Sequence, residues 1–320
     1  MKAAIVESYG ARPRLHDDWS EPSGDGERQV LAVRAAGLNP VDLHIASGRF
    51  YAGAPPTPYV PGREGVVELP DGRPAWSDQL DQRFGSLAER TLVDPALTVP
   101  LPRGVGEAQA LCFGIAGIAA WCALEQRARL RPGERVLVLG AGGLVGQIGV
   151  QAARLLGAGR VVAASRRTAA LERARALGAD AGVAIPAAAD DWASFAAALR
   201  EAQPDGFDVV LDPVWGPPAR AALENLASGG RLVQVGNAAA PEQSIGAGTL
   251  RGRVADVIGY TNFALPWPVK RGAFLRMCAE HLAGNLEAPY EEVPLERIGE
   301  AWDRQRQGPA VKLVVRPRAS

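Results

Sequence analysis

Residues 135–146 constrain the chain more than any other segment. Arg135-Val136-Leu137-Val138-Leu139 is almost wholly apolar and runs straight into Gly140-Ala141-Gly142-Gly143-Leu144-Val145-Gly146. An apolar run of this length is what a strand buried on both faces needs. Leu144, Val145, Ile148, Ala152, Leu155 and Leu156 then recur at helical spacing. The segment is therefore a strand, a tight turn and a helix. Glycine lets such a turn close and lets the backbone approach a pyrophosphate with no Cβ in the way. The helix start offers unpaired N–H groups and partial positive charge to phosphates. A strict G-x-G-x-x-G fails, because Val145 holds its third position; the spacing that works is Gly140, Gly143, Gly146. A purely structural strand-to-helix turn also wants glycine, so that reading stands beside nucleotide binding. The repeating context favours the nucleotide.

That context runs on for more than a hundred residues. Strands are predicted at 160–164, 207–211, 231–235 and 254–260, with helices at 171–177 and 219–226. Repeated β-α-β units build a parallel, doubly wound α/β sheet. The second strand ends in Ser165-Arg166-Arg167, and no carboxylate follows until Glu172. NAD sites place an acid there for the ribose 2′-hydroxyl. A hydroxyl and two guanidiniums suit the 2′-phosphate of NADP instead. All but Lys2, Lys270 and Lys312 of the 35 basic residues are arginine, so two arginines capping a solvated loop is the competing reading.

The first third has another texture. Short apolar runs at 3–6, 30–35, 62–67 and 87–93 are broken by prolines and by Asp71-Gly72, a turn signal. This predicts a compact antiparallel, β-rich domain. Residues 108–124 read as a buried helix. After about 266 come helices near 268–284 and 295–306 and a strand at 312–315, a tail with no sheet of its own that folds back onto the first domain. The domains expected are 1–117 with 264–320, and 118–263. With 320 residues, equal numbers of acidic and basic side chains and 47% hydrophobic residues, the chain is an ordinary globular protein and a poor electrostatic binder of nucleic acid. Cys112, Cys122 and Cys278 make no disulfide framework, and the three histidines are scattered, so no metal site of usual spacing is expected. No long apolar run or signal-peptide core is expected either, which points to a cytoplasmic protein away from membranes.

Several motifs, in order, carry a resemblance. They are Ala36-Gly37-Leu38-Asn39-Pro40-Val41-Asp42, Pro61-Gly62-Arg63-Glu64-Gly65-Val66-Val67, Gly85 to Val93, Gly117-Ile118-Ala119-Ala120-Trp121, the Gly140–Gly146 turn, Leu177-Gly178-Ala179-Asp180 and Gly230-Arg231-Leu232-Val233. With them the chain resembles the zinc-independent branch of the medium-chain dehydrogenase/reductase superfamily, the quinone oxidoreductase (ζ-crystallin-like) enzymes. The resemblance implies a Rossmann domain beside a GroES-like catalytic domain completed by the tail. It implies NADPH as cofactor, a small quinone or α,β-unsaturated carbonyl as substrate, and a homodimer formed through the last strand of the nucleotide domain. Asn39 and Arg63 stand where the superfamily's alcohol dehydrogenases hold zinc with Cys and His. Hydride transfer to an already electrophilic acceptor needs no Lewis acid.

For the site, the resemblance and the residues together nominate His44, Asn39, Asp42 and Tyr51 as catalytic. His44 replaces a tyrosine common in relatives; it either protonates the reduced acceptor or is structural. Asn39 either donates to the acceptor oxygen or caps the helix that starts there. Asp42 buttresses the local fold or His44, and Tyr51 is a further phenol. Arg63 pairs with Glu64 or Asp42, or takes an anionic acceptor. Gly140, Gly143, Leu144, Val145, Gly146, Ser165, Arg166 and Arg167 are the cofactor candidates, joined through the resemblance by Gly236, Asn237 and Lys312. Two alternatives stay open: an enoyl reductase dedicated to a biosynthetic, for example polyketide-type, intermediate, and an NADPH-binding protein with little catalysis. A methyltransferase on a doubly wound domain fits the flanking β-rich segments poorly.

Overall fold

A computed structural model describes residues 1–187 and 192–318. They form two compact units, the first made of 1–116, 274–282 and 288–320, the second of 117–273 and 283–287.

In the first unit, β1 (Ala3–Ile5) and β2 (Arg14–His16) form a small antiparallel pair. The ten-residue strand β3 (Gln29–Leu38) is the spine of a larger sheet. Helix α1 (Pro40–Ala46) follows it at once. Pro40 suits a first helical position because its missing N–H has no partner there anyway. Strands β4 (Gly65–Glu68), β5 (Pro74–Ser77), β6 (Arg90–Val93) and β7 (Val99–Pro100) complete the N-terminal part.

The predicted helix at 108–124 is interrupted. Helix α2 (Glu107–Cys112) ends in a wider turn in which Gly114 leaves helical geometry at ψ −127°, before α3 (Ile118–Cys122) resumes. The run 107–127 is apolar and long enough to cross a membrane by length and composition, which corrects the expectation that no such run exists. Its most apolar window is 89% buried inside the fold, as a core helix is.

The second unit holds β8 (Arg135–Val138), β9 (Arg160–Ser165), β10 (Ala181–Ala184), β11 (Phe207–Asp212), β12 (Leu226–Gln234) and β13 (Asp256–Gly259). All pair in parallel, in the order β10-β9-β8-β11-β12-β13. Counted along this unit the order is 3-2-1-4-5-6, so the strand order reverses at β8. Connections leave β8 and β11 toward opposite sides and open a crevice at their carboxyl ends. Helices α4 (Leu144–Leu155), α5 (Thr168–Ala176), α6 (Trp192–Ala202), α7 (Gly216–Glu224) and α8 (Ala247–Arg253) link the strands. β10 and α6 are additions to the predicted elements. β10 is four small, mostly alanine residues with little period-2 contrast, whereas α6 does carry Trp192, Phe195, Ala196 and Leu199 at helical spacing, a signal the sequence reading passes over.

Helix α9 (Trp267–Leu282) leads into the tail. There β14 (Tyr290–Pro294) and β15 (Lys312–Arg316) pair in parallel, with α10 (Ile298–Arg306) between them. β15 pairs antiparallel with β3, giving the order β14-β15-β3-β4-β5-β7, with β6 also on β3. The tail thus adds two strands to the first sheet rather than one. Only Val293 of β14 is buried, so the strand shows no apolar stripe in sequence.

Each unit has its own apolar core. Trp302, Leu295, Leu313 and Leu38 pack together in the first, and Phe207, Phe195, Leu199 and Leu232 in the second. Phe207 is fully enclosed. Phe207→Ala is expected to cost about 3–5 kcal/mol, the range for truncating a buried aromatic. Urea unfolding would show it as a lowered midpoint at unchanged slope.

Candidate functional site

The chemistry-bearing residues fall into two groups, one in each unit. In the second unit, four loops meet at the carboxyl edge of the parallel sheet. The Gly140 turn follows β8, Ser165–Arg167 follows β9, Asp212–Gly216 follows β11, and Gly236–Asn237 follows β12. Gly140 sits at φ +63°, a conformation open to glycine at little cost. Gly146 is required by packing instead: a Cβ there would lie 2.6 Å from the Ala141 Cα and would also strike the Gly140 carbonyl. The turn is fastened by the Gly143 N–H donating to the Gly140 carbonyl at 3.0 Å and the Ala141 N–H to the Ala164 carbonyl at 3.0 Å. Gly143 is the residue before α4, whose first helical residues are Leu144, Val145 and Gly146. First-turn amides have no intrahelical acceptor, so this twelve-residue helix presents them toward the turn.

Beside the turn, Ser165 is buried while Arg166 and Arg167 are exposed. The Arg167 guanidinium donates to the Gly142 carbonyl at 3.1 Å. A Cβ on Gly142 would sit 3.0 Å from Ser165 Oγ and 3.1 Å from Arg167 Nη2. A side chain on Gly142 would thus crowd the Ser-Arg-Arg loop, a role the glycine spacing does not reveal. Gly236 also belongs to this edge: its N–H donates to the Asp212 carbonyl at 3.3 Å, and a Cβ there would come within 2.7 Å of the Pro213 carbonyl. Asn237 is exposed. These features fit a dinucleotide: a bare turn for the pyrophosphate, free helix amides, and guanidiniums next to a hydroxyl.

In the first unit the sequence-nominated residues separate. Asp42 is buried on α1 and accepts the N–H of Asn39 at 2.8 Å and of Arg63 at 2.9 Å. Burial pushes its carboxyl up to about 6, against those hydrogen bonds. It serves the backbone, and no hydrogen bond joins it to His44. His44 stands exposed on the same helix, two residues on and hence on another face. Tyr51 is 74% exposed and its ring lies 4.4 Å from that of Phe50. Of the two expectations for Arg63, the Asp42 contact exists, but through the main chain; the guanidinium reaches the Leu80 carbonyl at 3.4 Å.

Asn39 and Lys312 depart furthest from expectation. The Asn39 amide donates to the Gly37 carbonyl at 3.0 Å and to Glu64 Oε1 at 2.9 Å, and its oxygen accepts from Lys312 Nζ at 2.6 Å. Nothing remains for it to offer an acceptor molecule. Lys312 also pairs directly with Glu64, and the side chains are 2% and 0% exposed. The Lys312 ammonium is thus committed inside the first unit rather than presented to a cofactor. Glu64 Oε2 takes the Ile115 N–H at 2.8 Å and the Trp76 indole N–H at 3.2 Å. Sequence reasoning missed Glu64 as the centre of this knot, because its partners are far away along the chain. Among the described residues no group of three or more His, Cys, Asp or Glu side chains is placed to hold a metal ion.

Comparison with known proteins places this architecture. A family described as "Zinc-binding dehydrogenase" matches residues 145–266. The quinone oxidoreductase of Thermus thermophilus, solved also as its complex with NADPH, is 32% identical. It superposes with a TM-score of 0.80 over 99% of this chain and 100% of its own. The chain belongs to the quinone oxidoreductase family of medium-chain dehydrogenases/reductases. Among its curated relatives, the 2-methylene-furan-3-one reductase of Solanum lycopersicum is 32% identical over 259 residues, covering 75% of this chain and 63% of that protein. A mycocerosic acid synthase-like polyketide synthase of Mycolicibacterium smegmatis is 32% identical over 221 residues, covering 67% of this chain and 10% of that protein. The chain thus spans less than two thirds of the length of these two relatives. Its mixed sheet and its doubly wound sheet come from interleaved parts of the chain.

Lys312→Ala would leave the Glu64 carboxylate buried without its cation. A loss of about 3–5 kcal/mol is expected, as for other half-removed buried pairs. The double variant Glu64→Gln with Lys312→Met should recover part of it, as measured by chemical unfolding.

Proposed function

We propose that this protein is an NADPH-dependent oxidoreductase that reduces a quinone or an α,β-unsaturated carbonyl without a metal. The observation that carries this reading is the carboxyl edge of the doubly wound sheet. There a glycine turn, the start of α4 and the Ser165-Arg166-Arg167 loop lie together. The amides of Leu144, Val145 and Gly146 would hold the pyrophosphate. Ser165 Oγ and the Arg166 and Arg167 guanidiniums would hold the 2′-phosphate, Arg by its planar fork of donors. Bound NADPH supplies a hydride.

The acceptor must then be electrophilic already. Asn39 is bound up with Glu64 and Lys312, and Arg63 lies on the Leu80 carbonyl, so neither offers a zinc ligand. A quinone or an enone meets that condition. The relatives' names support both: a quinone oxidoreductase and a furanone reductase. The proton that follows the hydride comes from a solvent-facing donor in this reading; the exposure of the His44 imidazole makes it a candidate beside water. A second reading, an enoyl reductase acting on a polyketide-type intermediate, is supported by the match within a polyketide synthase. The protein works in the cytoplasm in this proposal, consistent with three buried free cysteines. It pairs with a second copy through the open edge of β13, where Val257 is 39% and neighbouring Val254 69% exposed.

Loss of reduced-nicotinamide absorbance, followed with a small quinone and with an alkyl enone in chelator-containing buffer, tests the activity. Turnover with NADPH is expected, and the faster acceptor ranks the two. Silence with both, despite NADPH binding, would move the assignment to the dedicated enoyl reductase or to an NADPH-binding protein with little catalysis. Arg166→Glu should weaken NADPH by ~10-fold or more while leaving NADH nearly unchanged; equal losses would remove the 2′-phosphate assignment. If His44 delivers the proton, His44→Ala should lower turnover ~10²-fold at unaltered stability. An unchanged rate would assign the proton to water.

A further inference from the structure

Asp212 closes β11 with a side chain that solvent does not reach. Its Oδ1 accepts two main-chain N–H groups, from Val214 at 2.9 Å and from Trp215 at 2.8 Å. Its Oδ2 is buried and meets no donor among the described residues. Burial raises the carboxyl to about 6. A buried acid with one oxygen fully used and the other unpartnered is costly to keep.

The backbone that Oδ1 holds is itself strained. Trp215 sits at φ +56° and ψ −164°, a region that bulky side chains rarely enter and that persists only where the surroundings enforce it. The surroundings are two glycines. A Cβ on Gly140 would lie 2.7 Å from Val214 Cγ1, and a Cβ on Gly236 would lie 2.7 Å from the Pro213 carbonyl oxygen. The turn is therefore wedged between the loop after β8 and the loop after β12. Main-chain bonds complete the unit: the Val235 N–H donates to the Asp212 carbonyl at 2.8 Å and the Ala239 N–H to the Val214 carbonyl at 2.7 Å.

We propose that Asp212 is a positioning residue for the nucleotide cofactor, holding the Val214–Trp215 turn against Gly140 so that the phosphate-binding turn keeps its shape. The inference rests on the reading that the cofactor lies along Gly140–Gly146. Asp212 acts on the ligand through Val214 and Gly140, not by touching it. Only Oδ1 is needed for this, and the amide oxygen of asparagine can accept the same two N–H groups. The acid's charge is dispensable; its acceptor oxygen is not.

The test is NADPH and NADH affinity by fluorescence titration, with thermal unfolding of each protein alone, for the wild type, Asp212→Ala and Asp212→Asn. Asp212→Ala should weaken both cofactors by ~10-fold or more and by the same factor, because the turn lies away from Ser165–Arg167. Asp212→Asn should restore affinity to within ~3-fold of the wild type. An alanine variant that binds both cofactors as the wild type does would overturn the proposal, whatever its melting temperature. Loss confined to NADPH, or an asparagine variant as weak as alanine, would overturn it too. Should Asp212→Ala fail to fold, Trp215→Gly is added to it, which removes the positive-φ strain. The double variant should then bind weakly, and wild-type affinity in it would reject the role. A wild type that binds neither cofactor would count against the nucleotide reading itself, before any variant is compared.

Discussion

A single buried carboxylate organises the first unit. Glu64 has no exposure to solvent, yet both of its oxygens are satisfied: one by Lys312 and the Asn39 amide, the other by the Trp76 indole and the Ile115 main chain. Those donors come from β15, the start of α1, β5 and the helical run beyond α2. A desolvated ion this well enclosed is tolerable only if every partner is present. The requirement propagates to the glycines around it. A Cβ on Gly37 would come within 2.8 Å of the Lys312 stem, and Gly114 leaves helical geometry beside the Glu64 carboxylate. The kink in the apolar run 107–127 and the docking of the C-terminal strand on β3 both lie against this carboxylate.

Internal partners also decide which residues are left for chemistry. Asn39 is held by Glu64 and Lys312 within the knot, and Arg63 is engaged apart from it, by Asp42 through its main chain and by the Leu80 carbonyl. Asp42 turns inward to two amides, so α1 presents only its outer face, carrying His44, to solvent. The helix divides into a buried half that stabilises and an exposed half free to act, in keeping with its 3.6-residue period.

The second unit solves a different problem. A parallel sheet with its strand order reversed at β8 leaves a crevice at the carboxyl ends. Three loops must then fit around the glycine turn without side chains colliding. Glycine stands where the chain passes close: Gly146 against the Ala141 backbone, Gly236 against the Pro213 backbone, and Gly142 beneath the side chains of Ser165 and Arg167. The unusual cost, a tryptophan at positive φ, falls on the one loop that an aspartate pins.

Sequence alone determined the parts of this protein that depend on neighbours along the chain. The Gly140–Gly146 turn was legible because a positive φ and a close helix approach both exclude side chains, and the apolar run before it marks a buried strand. The Ser165-Arg166-Arg167 loop was legible because a strand end without an acid is a local pattern, and the motif order carried the family. Other features depend on partners brought from afar. Glu64 meets Lys312 across 248 positions, and nothing near Glu64 announces that it will be buried. Asp212 looks like any acid at a strand end until the loop after β12 closes beside it. β14 and β10 lack the alternation that a half-buried strand shows, because one is a solvated edge and the other is alanine-rich. Local pattern reports what a residue does to its own backbone. Which buried charges find partners is decided only when distant strands come into register, since the penalty for an unpaired one arises in the folded interior.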